Sequence, residues 1–214
     1  MKTLLEGHAR FQTGYYQQHK ALFEDLSRKG QAPKTMVIAC SDSRVSPEVI
    51  FDTAPGEIFV VRNVSNLVPP YAPDTGNHGT SAALEFAVTA LKVQNIVVLG
   101  HSQCGGIRAL VIGPEGDHGD FIESWVAIAK KARQRVCDTP EQPLSFESQC
   151  AMCEREAIRV SLANLLTFPW IAKRVTAGTL TLTGLHFNVE TGTLEAVEGF
   201  SKQGQGALPP RLAC

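Results

Sequence analysis

The chain has 214 residues, of which 43% are hydrophobic and 19% charged, and its formal net charge is −1. That length and composition suit one α/β domain with a buried core and are too short for two full domains. With no block of Lys or Arg there is no basic face for a nucleic-acid partner, and apolar runs such as Ile96-Val97-Val98-Leu99 are far shorter than a bilayer span.

Residues 4–26 read as a helix, with Leu4, Phe11, Tyr15, Leu22, Phe23 and Leu26 at mostly helical spacing. This opening segment, residues 1–30, stands outside the alternation that follows. It either packs on its own domain or, because its apolar residues exceed one face, forms an arm packed on a partner subunit. Gly30 and Pro33 end it. Residues 35–40 form a buried strand by length and composition, 57–62 a second and 95–100 a third, with a helix at 80–91 between the last two. Strands alternating with helices predict an α/β fold, a central and mostly parallel sheet flanked by helices. After Gly105-Gly106, residues 107–111, 121–136 and 147–166 read as helices. Residues 179–189 then form a strand, Glu190-Thr191-Gly192 a turn, and 193–197 a returning strand. No linker divides residues 1–214, and 204–214, with Pro209-Pro210, reads as a surface tail.

The N-terminus Met1-Lys2-Thr3-Leu4-Leu5-Glu6 is charged too early for a signal-peptide core, so the protein is expected in a reducing cytoplasm. There, six cysteines point to metal ligation or inert core thiols rather than disulfides.

Two short clusters carry the chemistry. Cys40-Ser41-Asp42-Ser43-Arg44 directly follows the first strand, and His101-Ser102-Gln103-Cys104-Gly105-Gly106 directly follows the third. In open parallel sheets the carboxyl ends of strands are where ligands bind, so both clusters lie on one sheet edge despite their separation in sequence. Cys40, Asp42, His101 and Cys104 are all of zinc-ligand type, and Zn²⁺ prefers four ligands in a tetrahedron. Four protein ligands would saturate the ion; catalysis needs an open position. Arg44 can hold the Asp42 carboxylate in a forked pair, which would turn it away from the metal and leave three ligands. The open or closed state of the site therefore rests on Asp42.

These residues resemble the β-class carbonic anhydrases. The resemblance runs from the N-terminal helix to at least Leu110 and includes Cys40-Ser41-Asp42-Ser43-Arg44-Val45, Pro55-Gly56-Glu57, Phe59-Val60-Val61-Arg62-Asn63-Val64, Val68-Pro69-Pro70, Ala82-Ala83-Leu84-Glu85 and Gly100-His101-Ser102-x-Cys104-Gly105-Gly106. It implies a homodimer or dimer of dimers and reversible hydration of CO₂ to bicarbonate by zinc hydroxide. It further implies that Cys40, His101 and Cys104 hold one zinc ion, that Asp42 accepts a hydrogen bond from the nucleophile, and that Arg44 orients Asp42. Gln31 and the backbone N–H of Gly105 would donate to substrate, and Phe59 and Val64 would form the apolar wall of its pocket. Two positions depart from relatives: Phe86 stands where many members carry Tyr, and Val37 where a bicarbonate-regulated bacterial branch carries Trp. A Tyr of that regulatory site would fall near Phe187, so regulation by bicarbonate is not expected.

Other readings make distinct predictions. Gly100-His101-Ser102-Gln103-Cys104 looks like the nucleophile elbow of a serine hydrolase, but Cys104 occupies the place of its final Gly and the first cluster goes unexplained. Cys150-Ala151-Met152-Cys153 lies inside a helix rather than opening one, so these read as inert thiols. The nearest enzymatic alternative is CS₂ or COS hydrolysis on the same scaffold. A non-catalytic alternative is a zinc-stabilised assembly domain with Asp42 as permanent fourth ligand.

Overall fold

A computed structural model describes residues 1–138 and 144–197. The expected tail at 204–214 lies outside the described residues. The sheet has five strands: β1 (Thr35–Cys40), β2 (Ile58–Asn63), β3 (Asn95–His101), β4 (Thr181–Phe187) and β5 (Leu194–Ala196). Their order is β2-β1-β3-β4-β5. The first four run parallel, and β5 returns antiparallel to β4. The register aligns Thr35 with both Ile58 and Asn95, which brings the carboxyl ends of β1 and β3 side by side.

Three helical pieces replace the single N-terminal helix expected: α1 (Lys2–Thr13), α2 (Tyr15–Gln18) and α3 (Lys20–Lys29). The breaks fall at Gly14 (φ −106°, ψ −94°) and His19 (φ −110°, ψ 18°), whose backbones leave the α region. None of the three pieces has a buried residue. Their aromatics pack chiefly on each other, Phe11 lying 6.0 Å from Tyr15 and 5.9 Å from Phe23 between ring centroids.

The remaining helices are α4 (Pro47–Ile50), α5 (Gly79–Glu85), α6 (Gly105–Ile112), α7 (Gly119–Val126), α8 (Lys130–Cys137), α9 (Phe146–Leu165) and α10 (Pro169–Thr176). The expected helix over 80–91 ends in a π-helical stretch, Phe86–Ala90. The expected helix over 121–136 is interrupted by a 3₁₀ turn at Ala127–Ala129, which separates α7 from α8. Two helices, α4 and α10, escaped the sequence reading. Each has Pro at its start, where a missing N–H costs nothing, and each is too short to show a clear apolar period.

Strand alternation sorts the core into layers. Met36, Ile38, Ile96 and Val98 face α5, α9 and α10, where they meet Leu84, Ile158, Leu162, Phe168 and Ile171. Val37, Ala39 and Leu99 face the other way and meet Val45, Ile50 and Phe51 of the β1–β2 connection. Cys40 and Cys104 belong to a third cluster with α6, α7, α8 and α9. The two metal-type cysteines thus sit under a helical roof at the sheet's carboxyl edge.

Candidate metal centre

β1 ends on Cys40 and β3 on His101, and Cys104 is the residue from which α6 starts. The Sγ atoms of Cys40 and Cys104 lie 4.0 Å apart. The ligand atoms of Cys40, His101 and Cys104 all fall within 4.8 Å of one another, and all three residues are buried. Tetrahedral zinc with Zn–S near 2.3 Å would place two sulfurs roughly 3.8 Å apart, close to the spacing found.

His101 supplies the decisive sign that this cluster fits a metal. Its Nδ1–H donates to the Ser102 carbonyl at 2.9 Å. That fixes the tautomer and leaves Nε2 with a lone pair. Nε2 is buried and has no hydrogen-bond partner. A buried polar atom without a partner is costly, and a metal ion among two sulfurs and this nitrogen resolves it.

The two thiols are unlike. Hydrogen bonding to Cys104, with burial adding to it, pushes the Cys40 thiol up to about 12. Cys104 is lowered to about 7, chiefly through its hydrogen bond with Cys40, with Ser65 and the amides of Ile107 and Gly106 at the start of α6 helping. The two sulfurs thus share one hydrogen bond in which either can be the donor.

Asp42 stands outside this group of three. Arg44 grips both of its carboxylate oxygens, Nε to Oδ1 at 2.9 Å and Nη2 to Oδ2 at 2.7 Å, and the Arg44 amide adds a bond to Oδ1 at 3.0 Å. The Arg44 guanidinium holds this carboxyl well below the usual carboxylate range. Asp42 Oδ2 remains 3.9 Å from His101 Nε2, beside the cluster but turned to Arg44. A metal held by the other three residues keeps one position open.

A match to the family model described as carbonic anhydrase covers residues 35–194. Beta carbonic anhydrase 3 of Arabidopsis thaliana is 41% identical over 201 residues, 92% of this chain and 77% of that protein. The chain belongs to the β-class carbonic anhydrases. Beta carbonic anhydrase 5, chloroplastic, of the same plant is 46% identical over 184 residues, 82% of this chain, which spans 60% of that longer protein. The solved β-carbonic anhydrase CcaA superposes with a TM-score of 0.86 at 36% identity, covering 92% of this chain and 86% of that one.

The other residues singled out from the resemblance to β-class carbonic anhydrases divide in two. Val64 and Gly105 are near the cluster. Val64 lines an apolar groove of about 380 Å³ with Phe121, Ile122 and Trp125, and the Trp125 indole N–H donates to its carbonyl at 2.7 Å. Gly105 opens α6, and a Cβ there would meet nothing within 4 Å. Gln31 and Phe59 are not brought to the cluster within one chain. Phe59 pairs with Met36, four residues before Cys40, which at ~3.3 Å per residue is about 13 Å down the strand. Its ring lies 5.9 Å from that of the half-exposed Phe86. Gln31 is exposed and precedes β1, so it belongs to the opposite end of that strand.

Sequence reading missed several residues that build the centre. Ser65 sits in the turn after β2 with φ +64°; its amide donates to Cys40 Sγ at 3.3 Å and its hydroxyl lies 3.5 Å from Cys104 Sγ. Gly106 is required for that approach, since a Cβ would stand 2.1 Å from Ser65 Oγ. Arg62 donates to the carbonyls of Cys40 (2.9 Å) and Asp42 (2.7 Å), clamping the first loop. Gln103, at φ +58°, is the strained residue of the second loop. Ser102, the nucleophile of the hydrolase reading, instead accepts from the Val189 amide through its hydroxyl at 2.9 Å. Cys150 and Cys153 lie in α9 with thiols raised by burial. Val37 and Phe187 pack in one apolar layer and offer no polar group there.

Proposed function

We propose that this chain catalyses the reversible hydration of carbon dioxide to bicarbonate and a proton, with one Zn²⁺ held by Cys40, His101 and Cys104. The observation that carries this reading is the capture of both Asp42 oxygens by Arg44, which leaves three protein donors and a free coordination position. Bound there, zinc would act as a Lewis acid and lower the pKa of a bound water, supplying the nucleophile. The buried sulfurs and imidazole fix the donor geometry. Asp42, ionised and unable to donate, accepts a proton-bearing bond from the nucleophile and so directs its lone pair at the substrate. Arg44 holds Asp42 in that role and keeps it off the metal position. Val64 offers apolar surface to CO₂, and the Gly105 N–H, at the positive end of α6, offers a donor to the bicarbonate oxygen. Membership of the family supports the substrate assignment.

Gln31 and Phe59 find a role in a second copy. An arm without buried residues, α1 to α3, and a sheet face whose Ile58, Val60, Val97 and Leu185 are only half-buried support a homodimer, or dimer of dimers. In it, Gln31 and Phe59 of one subunit would complete the pocket of another. Sedimentation of the full chain and of a form lacking residues 1–30 tests this; a monomeric full chain would reject it. The free thiols of Cys40, Cys104, Cys137, Cys150 and Cys153 support a reducing compartment, the cytoplasm, tested by fractionation. No described helix is long and apolar enough to cross a membrane.

Stopped-flow measurement of the pH change on mixing with CO₂, together with metal analysis, tests the activity. Zinc near one per chain with hydration is the expected outcome. Stoichiometric zinc with no hydration at any pH would favour the non-catalytic assembly domain, and turnover of CS₂ or COS with none of CO₂ would reassign the substrate.

A further inference from the structure

Two buried titratable residues lie beneath the metal centre with no part in the reading above. Glu154 on α9 and His186 on β4 are 4% and 2% exposed. Glu154 Oε1 accepts the backbone N–H of Cys104 at 3.2 Å, and Oε2 accepts from His186 Nε2 at 3.1 Å. The carboxylate has no proton of its own to give, so the imidazole is the donor in the second bond.

A buried carboxylate is costly unless its oxygens are paired, and here both are. One of those pairings is to a residue of the ligand set. The Cys104 N–H belongs to the N-cap of α6, where the helix itself supplies no acceptor. Glu154 satisfies it from the neighbouring helix.

The reach of Glu154 depends on how closely α9 lies on the sheet. A Cβ at Gly100 of β3 would stand 2.6 Å from Ile158 Cδ1, and one at Gly184 of β4 would stand 2.6 Å from Ile158 Cγ2. These two bare positions admit Ile158. Glu154, one helical turn earlier, lies on the same face of α9. His186 is the register partner of Gly100, so it comes up from the strand below to brace the carboxylate.

We propose that Glu154, braced by His186, is a positioning residue of the metal centre: it fixes the Cys104 peptide and thereby the direction of the Cys104 sulfur. The inference rests on the zinc reading of Cys40, His101 and Cys104. Partners of this kind, one bond removed from a metal ligand, typically change metal affinity by about 10–100-fold when removed.

Zinc affinity, measured by competition with a chromophoric chelator, tests it without recourse to activity. Glu154→Ala is expected to weaken zinc about 10–100-fold and to shift the thiolate-to-metal absorption of the Co²⁺-loaded protein. Glu154→Gln keeps an oxygen for the Cys104 N–H, and it is expected to keep most of the affinity and the wild-type spectrum. Glu154→Met, similar in volume and without that acceptor, takes the place of Glu154→Ala if the latter does not fold. Wild-type affinity with an unchanged spectrum in the Ala or Met variant overturns the proposal. So does a Glu154→Gln variant that loses as much as they do, since burial rather than the acceptor would then be at work. A wild-type protein that retains no zinc would instead overturn the metal reading itself.

Discussion

The guanidinium of Arg44 donates to the backbone carbonyl of Gln103 at 3.0 Å. Arg44 belongs to the loop after β1 and Gln103 to the loop after β3, so one side chain ties the two halves of the centre. Gln103 has φ +58°, a conformation uncommon for a residue with a side chain. The bond to Arg44 helps hold it there, between His101 and Cys104. The same guanidinium grips Asp42, so the setting of the carboxylate and the spacing of the two loops share one anchor.

Replacing that anchor should uncouple metal retention from catalysis. Arg44→Ala and Asp42→Ala are expected to keep zinc, because neither residue belongs to the buried group of three. CO₂ hydration should fall by at least about 10–100-fold in each. Stopped-flow rates and zinc content measured on the same samples check this, and wild-type rates in either variant would sink the mechanism.

Removing a donor should do the reverse. Cys104→Ser takes one of the two sulfurs, which lie 4.0 Å apart, from a buried group of three donors. Zinc remaining after dialysis against a weak chelator is expected to drop well below one per chain. Full zinc content would argue against ligation by Cys104.

Zinc affinity should depend on pH with a defined sign. Zinc requires both sulfurs as thiolates, while the metal-free centre holds Cys40 as a thiol, raised to about 12, and Cys104 lowered to about 7. Binding therefore expels one proton well above neutrality and up to three on acidification. His101, raised above the usual imidazole value despite its burial by its interaction with Cys40, must then also lose its proton. Apparent affinity should fall roughly tenfold per pH unit on acidification above neutrality and more steeply below it. Calorimetry in buffers of different ionisation enthalpy counts these protons, and a pH-independent affinity would contradict the arrangement of the pair.

Activity should follow a different curve. The Asp42 carboxyl is held below its usual range by Arg44. A depressed acid stays ionised on acidification until pH falls through its lowered value, so Asp42 remains an acceptor across roughly pH 6.5 to 9 and contributes no inflection there. Hydration should decline gradually toward the acid end as the nucleophile is protonated. A steep loss below pH about 8 would mean that Asp42 leaves Arg44 and closes on the metal.

Adjacent glycines should respond differently to the same change. A Cβ at Gly106 would stand 2.1 Å from Ser65 Oγ and 2.7 Å from Val64 Cγ1, whereas one at Gly105 would meet open space. Gly106→Ala should destabilise the fold by about 1–3 kcal/mol and weaken zinc by displacing Ser65 from both sulfurs. Gly105→Ala should leave thermal stability nearly unchanged. Thermal denaturation with zinc analysis separates the two, and equal effects would contradict the packing described.

The strands β1 to β3 were legible because apolar runs of four or five residues bounded by Gly, Pro and polar turns leave few alternatives. β1 was read to the residue, and β2 and β3 to within one. The pairing of Cys40 with His101 and Cys104 was legible too, since parallel strands put successive carboxyl ends on one edge whatever separates them in sequence. Helix breaks at Gly14, His19 and Ala127 were not, because local spacing there still fits a continuous helix.

By itself, the sequence determined where the strands lie, on which edge the cysteines and histidine fall, and that Arg44 is spaced to meet Asp42. Tertiary structure decided which atoms face one another. It brought Ser65 onto both sulfurs through a turn with positive φ, set Arg62 and Gln103 around the loops, and pressed Ile158 between Gly100 and Gly184 so that Glu154 reaches Cys104. It also held Gln31 and Phe59 away from the centre of their own chain. These contacts join segments from different elements at a few ångströms, and such distances depend on how whole layers pack, which no local pattern of residues encodes.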